Sequence, residues 1–485
     1  MPQNVFPLPQ NAPPSARPYT TPSRRELLRG AAALIALGPL AGCATAGGSP
    51  SGGATASAGP VTKDNPLGVV AKDPLEVVIF KGGYGDDYAK FAGRLYTERH
   101  AGARITHAGM QNVGQVMQPR LVAGDPPDVI DNTGAGRLDL ATLVADKQLR
   151  DLTPLLDAPS PDDPAVKVRD TLLPGVVAGG SYDGTPYVLD FVYTVWGLWY
   201  SSSLFAKHGW TYPRTWAEML TLGDEIKKEG IAPWTYQGKF PEYMNDPLLT
   251  MAAKAGGMEM VAAIDNLQPG AWRHEGVKAA LEAFAELAGR GHILKGSEAL
   301  SHTEAQTAWC QGKAAFIPCG SWLESEQAKV TPAGFDMVVG ATPRLSESDK
   351  LPAGAIQAAA SESFVVPAQA KNPAGGQEYL RLLLSRQSVR KFAELTSAMP
   401  VVKGALEGLT LSSGLASVGK LVGAAGQDAF AYRFRTWYAP LAKAVDDATG
   451  ELLTRRIDPG QWTDRVQKAA DAVAKDSTIK KYRRS

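Results

Sequence analysis

Apolar positions recur along this chain in two rhythms. Residues 75–80, Leu-Glu-Val-Val-Ile-Phe, form a β-rich apolar run that stops at Lys81-Gly82-Gly83-Tyr84-Gly85. That predicts a strand closed by a glycine-rich loop. Over 86–100 the apolar residues Tyr88, Phe91, Leu95 and Tyr96 fall at helical spacing. Residues 103–108 read as a second strand, and 113–123 as a helix carrying Val113, Met117, Leu121 and Val122. A turn at Gly124-Asp125-Pro126-Pro127 then leads into a short strand at 128–130. Strand and helix alternate, which argues for parallel α/β architecture.

The middle of the chain is richer in helix. Thr215, with Glu218 three residues on, makes a capping-box start for a helix over 215–229. Residues 275–290 and 301–311 also read as helices, and 314–318 as a strand. Trp216 and Trp309 lie on helical apolar faces and are assigned to the core. Helical periodicity returns over 374–384, 386–396, 438–454 and 459–475. No fixed-period repeat is present, which argues against a solenoid or propeller.

The first residues carry a different signal. Ser23-Arg24-Arg25-Glu26-Leu27-Leu28 precedes a short apolar run and then Leu40-Ala41-Gly42-Cys43. The paired arginines resemble a twin-arginine export signal, and Leu-Ala-Gly-Cys resembles a bacterial lipobox. Residues 1–42 are therefore expected to be a twin-arginine lipoprotein signal peptide, with Cys43 lipidated after cleavage. Residues 43–73, rich in Gly, Ser, Ala and Thr, are expected to be a flexible tether. The expected product is an exported protein, lipid-anchored to the outer face of the cytoplasmic membrane.

Composition narrows the function. The 485 residues carry a formal net charge of +1, and 44% are apolar. Loss of residues 1–42 leaves a slightly negative chain, so a nucleic-acid partner is not expected. No apolar run reaches the roughly 18 residues of a membrane span. Three cysteines exclude a disulfide-rich scaffold and an all-cysteine zinc site. Cys310 and Cys319 are expected to stay unbridged, because an intervening strand of about 16 Å separates them. There is no phosphate-binding loop, no His-Glu-x-x-His and no nucleophile elbow. No metal and no cofactor are expected. The acidic pairs Asp86-Asp87, Asp162-Asp163 and Asp446-Asp447 are sequence neighbours, whereas general acid/base pairs usually come from separate elements. Glycosidase carboxylates need no fixed spacing, so a secreted glycoside hydrolase stays open as an alternative.

Several segments, in order, resemble the extracellular solute-binding proteins of carbohydrate ABC importers. They are Leu121-Val122-Ala123-Gly124-Asp125-Pro126-Pro127-Asp128-Val129, the 143–156 stretch, Tyr182-Asp183-Gly184-Thr185-Pro186-Tyr187, and the Leu198-Trp199-Tyr200 run to Phe205. The 209–220 stretch with Pro213 and Thr215-Trp216 is similar too, as is Gly312-Lys313-Ala314-Ala315-Phe316 followed by Gly320-Ser321-Trp322. Tyr200-Ser201-Ser202 departs from the family's usual Tyr-Asn-Lys. Residues 131–136, 231–238 and 316–318 resemble the branch that binds N-acetylglucosamine and diacetylchitobiose.

The resemblance implies an α/β, two-lobe periplasmic-binding-protein-like (type II) fold with an interlobe ligand cleft. One lobe would comprise 74–193 with 356–398, the other 194–355 with 399–485. It implies a monomeric, non-enzymatic receptor that captures a sugar and delivers it to ABC permease subunits, with N-acetylglucosamine or a chito-oligosaccharide as the sugar. A maltose- or xylose-type oligosaccharide is the alternative ligand. A pyranose offers an apolar face and a rim of hydroxyls, so its site needs aromatic plates and planar polar groups. Trp322 and Trp437 resemble the family's stacking aromatics. Tyr84, Asn132, Tyr193, Trp196, Trp234, Tyr236 and Gln237 lie in loops, after strands or at the crossover, and complete the expected ligand set.

Overall fold

The computed structural model describes residues 59–484 apart from 135 and 174. The expected signal peptide, Cys43 and tether residues 43–58 lie outside the described residues. Tether residues 59–73 do not behave as a free linker, which corrects that expectation. The Asn65 side chain accepts from the Val69 amide (2.8 Å) and donates to the Val69 (2.9 Å) and Pro60 (3.1 Å) carbonyls. This folds the segment into a loop and seats Val69 in a core.

Among the described residues eleven strands follow: β1 Leu75–Phe80, β2 Ile105–Met110, β3 Val129–Asp131, β4 Ser181–Tyr182, β5 Thr185–Pro186, β6 Leu189–Ser201, β7 Ala232–Trp234, β8 Ala314–Gly320, β9 Met337–Gly340, β10 Ile356–Val365 and β11 Ala429–Phe430. Nine make one sheet in the order β2-β1-β3-β10-β6-β8-β7, with β11 beside β10 and β9 beside β6. β4 and β5 form a separate hairpin. β1 is parallel to β2 and β3, as the alternation predicts. β2 begins two residues later than the sequence suggests, with Ile105 opposite Leu75.

Two long antiparallel strands join the lobes. β10 pairs with β3 at Phe364 and Val365 and with β6 from Gln357 to Phe364. β6 continues into the second lobe, where Trp196 to Trp199 pair with β8 and Leu198 to Ser201 with β9. A third connection runs beside them, where the Tyr193 amide donates to the Met399 carbonyl at 2.7 Å. On the first lobe the helices Pro373–Leu383 and Arg386–Thr396 pack on Asp87–Arg99. On the second, Ala439–Leu453 and Pro459–Lys475 pack on Glu242–Asp265 and Glu275–Gly289. Thr215 closes its capping box with Glu218, and Ser301 does the same with Glu304.

Residues 242–265 carry a helix that the sequence pattern did not indicate. It is buried on most sides, so it has no polar stripe to mark a period. It breaks at Gly257, whose φ of 78° a side chain would strain. Trp216 and Trp309 are both in the core, as expected. Cys310 ends the helix His302–Cys310 and Cys319 lies inside β8; both thiols are buried and free. No helix among the described residues is long and apolar enough to cross a membrane.

Candidate functional site

The strands that join the lobes bring together three aromatic rings. Trp196 projects from β6, opposite Gly320 of β8. Trp322 follows β8 and turns its indole edge-on to Trp196, centroids 6.4 Å apart and planes at 84°. A Cβ on Gly320 would lie 2.0 Å from the Trp322 ring, so only glycine lets the indole fold back over the strand. Tyr243, in the first turn of Glu242–Asp265, closes the corner at 6.1 Å from Trp322, and its hydroxyl meets the Trp322 indole N–H. Trp196, Trp322, Tyr243 and nearby Tyr193 all remain partly exposed.

A cluster of carboxylates connects to this corner through Glu326, whose charge acts on both Tyr243 and Glu362. Asp131, fully buried at the end of β3, accepts from the Thr133 hydroxyl (2.6 Å), the Tyr88 hydroxyl (3.3 Å) and the Phe80 amide (3.3 Å). Asp190 on β6 accepts from the Ser363 hydroxyl at 2.7 Å. Glu362 on β10 adopts φ 58°, a left-handed conformation inside a strand. A non-glycine residue held there is strained, and such strain concentrates at functional sites. Burial, and then the neighbouring Asp131, pushes the Glu362 carboxyl well up. Burial raises Asp190 to about 6 against the pull of Ser363 and Arg433, and raises Asp246 to about 8. Glu326, just past Trp322, is raised by burial while the Gln306 amide, 2.6 Å away, opposes the shift.

Tyr84 links these groups. It stands in the loop after β1, edge-on to Phe392 at 5.3 Å. Its hydroxyl is buried without a hydrogen-bond partner. Burial raises its phenol, and Glu362 from the crossover and Glu326 from the second lobe add to the effect. In the same loop the Gly83 carbonyl accepts from the Ser325 hydroxyl at 2.9 Å, a direct contact between lobes. Beyond Tyr243 the row continues through Glu242 and Asp246 to Arg435, which Asp446 holds at 2.8 Å. Carboxyls with raised pKa and phenols can both accept and donate, and indole N–H groups donate, which suits hydroxyl-rich ligands.

Not every expected contact belongs here. Asn132 is fully buried, and its amide accepts from the Leu138 N–H (2.8 Å) and donates to the Leu138 carbonyl (3.0 Å). It shapes the loop after β3 and exposes no surface to a sugar. Trp234 is fully buried among Trp216, Phe284 and Phe316, with centroids 6.0–6.2 Å away. It is core, because β7 turns that side chain toward the helices of its own lobe. Tyr236 is also core and borders a hollow of about 340 Å³ lined only by residues of the second lobe. Gln237 is buried, donates to the Pro318 carbonyl at 2.9 Å and leaves its own carbonyl oxygen unpartnered. Trp437 packs against the cores of both lobes, with the Tyr482 ring over it at 5.7 Å and 33°. One face is thus taken up by packing, while the residue stays partly exposed like Trp196 and Trp322. Tyr243, Glu362, Asp131, Asp190, Asp246 and Glu326 were missed, since residues scattered along the chain show no spacing motif. Among the described residues no group of His, Cys, Asp or Glu is placed to hold a metal.

Comparison with known proteins bears on this arrangement. Residues 81–389 match the model of the bacterial extracellular solute-binding protein family. The chain is 33% identical over 464 residues to the diacetylchitobiose binding protein NgcE of Streptomyces coelicolor, covering 95% of this chain and 98% of that one. Among solved structures it is similar to a chitin oligosaccharide binding protein (TM-score 0.66, 18% identity, 82% of this chain and 98% of that one). It is equally similar to the binding protein RafE in complex with raffinose (TM-score 0.66, 18% identity, 82% and 99%). The two-lobe fold expected from the sequence is thus shared with solved sugar-binding proteins. Its relatives are named as binding proteins and not as enzymes, and the chain belongs to the bacterial extracellular solute-binding protein family.

Proposed function

We propose that this protein is the receptor of an ABC importer, taking up N-acetylglucosamine or a short chito-oligosaccharide between its lobes and handing it to permease subunits. The observation that carries the reading is the Trp196–Trp322–Tyr243 corner, linked through Glu326 to the carboxyl cluster of Glu362, Asp131 and Asp190. It offers flat apolar faces next to groups that bind hydroxyls, where both lobes meet. The near full-length relationship to a diacetylchitobiose binder supports the choice of sugar. Tyr84, Tyr193, Trp196 and Trp322 are the ligand contacts we retain from the sequence, with Tyr243 and Glu362 added. We place the lobe limits at 74–193 with 356–398 and at 194–355 with 399–485, the crossover after 398 still running along the first lobe, where Val401, Val402 and Ala405 join its core. A ligand touching both lobes favours closure by its differential affinity, and closure is what a permease can read. Lipidation at Cys43 would keep the monomeric receptor at the membrane, a reading that rests on the Leu40-Ala41-Gly42-Cys43 sequence.

Calorimetry with N-acetylglucosamine, diacetylchitobiose, maltose and xylobiose tests the proposal. Preferential binding of an N-acetylated sugar, recovered unchanged, is expected. Binding of maltose or xylobiose alone would reassign the ligand, and turnover of any sugar would end the receptor reading.

A further inference from the structure

Residues 476–484, after the helix Pro459–Lys475, lie along the seam between the lobes. Their anchorage lies on the second lobe. The Arg484 guanidinium donates to Asp265 Oδ2 and to the Ala431 carbonyl, each at 2.7 Å. The Arg484 backbone exchanges two hydrogen bonds with the Asn266 amide, at 2.7 and 3.0 Å. The Tyr482 amide donates to the Tyr438 hydroxyl, which in turn donates to the Tyr482 carbonyl. Asp265 uses its other oxygen on the Arg433 and Phe434 amides, so one carboxylate fixes both this segment and the turn that leads to Trp437.

The Tyr482 side chain points the other way. Only 5% exposed, it packs in a first-lobe cluster with Val78, Val113, Leu138, Tyr182 and Val188. Its ring meets Tyr182 edge-on at 5.3 Å and covers Trp437. Lys480 sits 5.2 Å over the same ring and pairs with Asp183 of the β4–β5 hairpin. The Tyr482 hydroxyl, although buried, has no hydrogen-bond partner.

We propose that this segment is an interlobe latch, whose Tyr482 ring must leave its first-lobe socket before the lobes can part. The asymmetry of its contacts sets which side yields. Withdrawing Tyr482 breaks ring contacts and an exposed ion pair, but no hydrogen bond of its hydroxyl. Detaching the segment from the second lobe breaks six hydrogen bonds. The latch therefore stays on the second lobe and releases at the first. Other contacts between the lobes include Ser325 to Gly83, Arg433 to the Gly179 carbonyl at 3.3 Å, and Trp437 against the first-lobe cluster. In a receptor that closes on sugar, as proposed above, the latch governs how readily the cleft reopens.

The test uses the full chain with a spectroscopic label on each lobe. Interlobe distances are measured without ligand, and diacetylchitobiose release is followed by stopped flow. Tyr482→Ala should enlarge the open population and speed release by at least about tenfold, since most interface changes act on dissociation. Tyr482→Phe should match the wild type, because the lost hydroxyl has no partner. If Tyr482→Ala does not fold, Tyr182→Ala reaches the same contact from the opposite lobe and should give the same two changes. Wild-type distances and release rates in a folded variant would overturn the latch. A wild-type protein that binds no sugar would overturn the receptor reading instead, and the ligand-free distances would still decide the latch.

Discussion

Two tryptophan corners in the second lobe differ in what surrounds them. Trp234 ends β7 and Trp322 follows β8, neighbouring parallel strands joined through the pairing of Trp234 with Phe316. Around Trp234 stand Trp216, Phe284 and Phe316, and its indole N–H has no partner. Around Trp322 stand Trp196, Tyr243 and Glu326, and its N–H meets a hydroxyl. The first corner is made for packing, the second for contact with something polar and flat. Position after a strand is the same signal in both; burial and polar neighbours separate them.

The sharpest break in the comparison is a pair of truncations. Trp234→Ala should cost about 3–5 kcal/mol of stability, because it empties a closed core. Denaturant unfolding would read that loss, and a near-normal midpoint would move Trp234 out of the core. Trp322→Ala should instead weaken sugar binding by about 1.5–3 kcal/mol, some ten- to more than a hundredfold, with unfolding little changed. Wild-type affinity for every sugar tested would remove Trp322 from the site.

Much of this was legible beforehand, for reasons visible in particular residues. The amphipathic helices Glu275–Gly289 and Pro459–Lys475 expose one face, so their period shows. The helix Glu242–Asp265 hides that period, and Tyr243 was lost with it. β10 was missed because Gln357-Ala358-Ala359-Ala360-Ser361-Glu362-Ser363 has no β-branched run. Pairing with β6 and β3 on its two sides makes it a strand. Glu362 and Asp190 become neighbours only through that pairing, so no linear motif announces them. The contact of Tyr482 with Trp437 was equally hidden, since Tyr482 lies 45 positions away and reaches it only through tertiary packing.

The smaller effect tests the charge side of the comparison. Burial lifts Asp190 to about 6, above its value in an unfolded chain. Between about pH 4 and 6 the folded state therefore holds this proton more firmly than the unfolded one. The stability it contributes is present at low pH and lost as pH rises through that window, at up to about 1.4 kcal/mol per pH unit. Urea unfolding of the wild type and of Asp190→Asn at pH 4.5 and 6.5 should show a shallower decline in the variant. Identical slopes would place Asp190 in a solvated setting.

The continuous sheet has a consequence for how the molecule comes apart. β6 and β10 each hydrogen-bond on both flanks, one toward β3 and the other toward β8 and β9. Neither lobe owns a finished sheet, and cutting between them would bare the long edge of a central strand. The two lobes should accordingly melt in a single cooperative transition, with calorimetric and van't Hoff enthalpies in agreement. A lobe expressed alone should aggregate through that open edge.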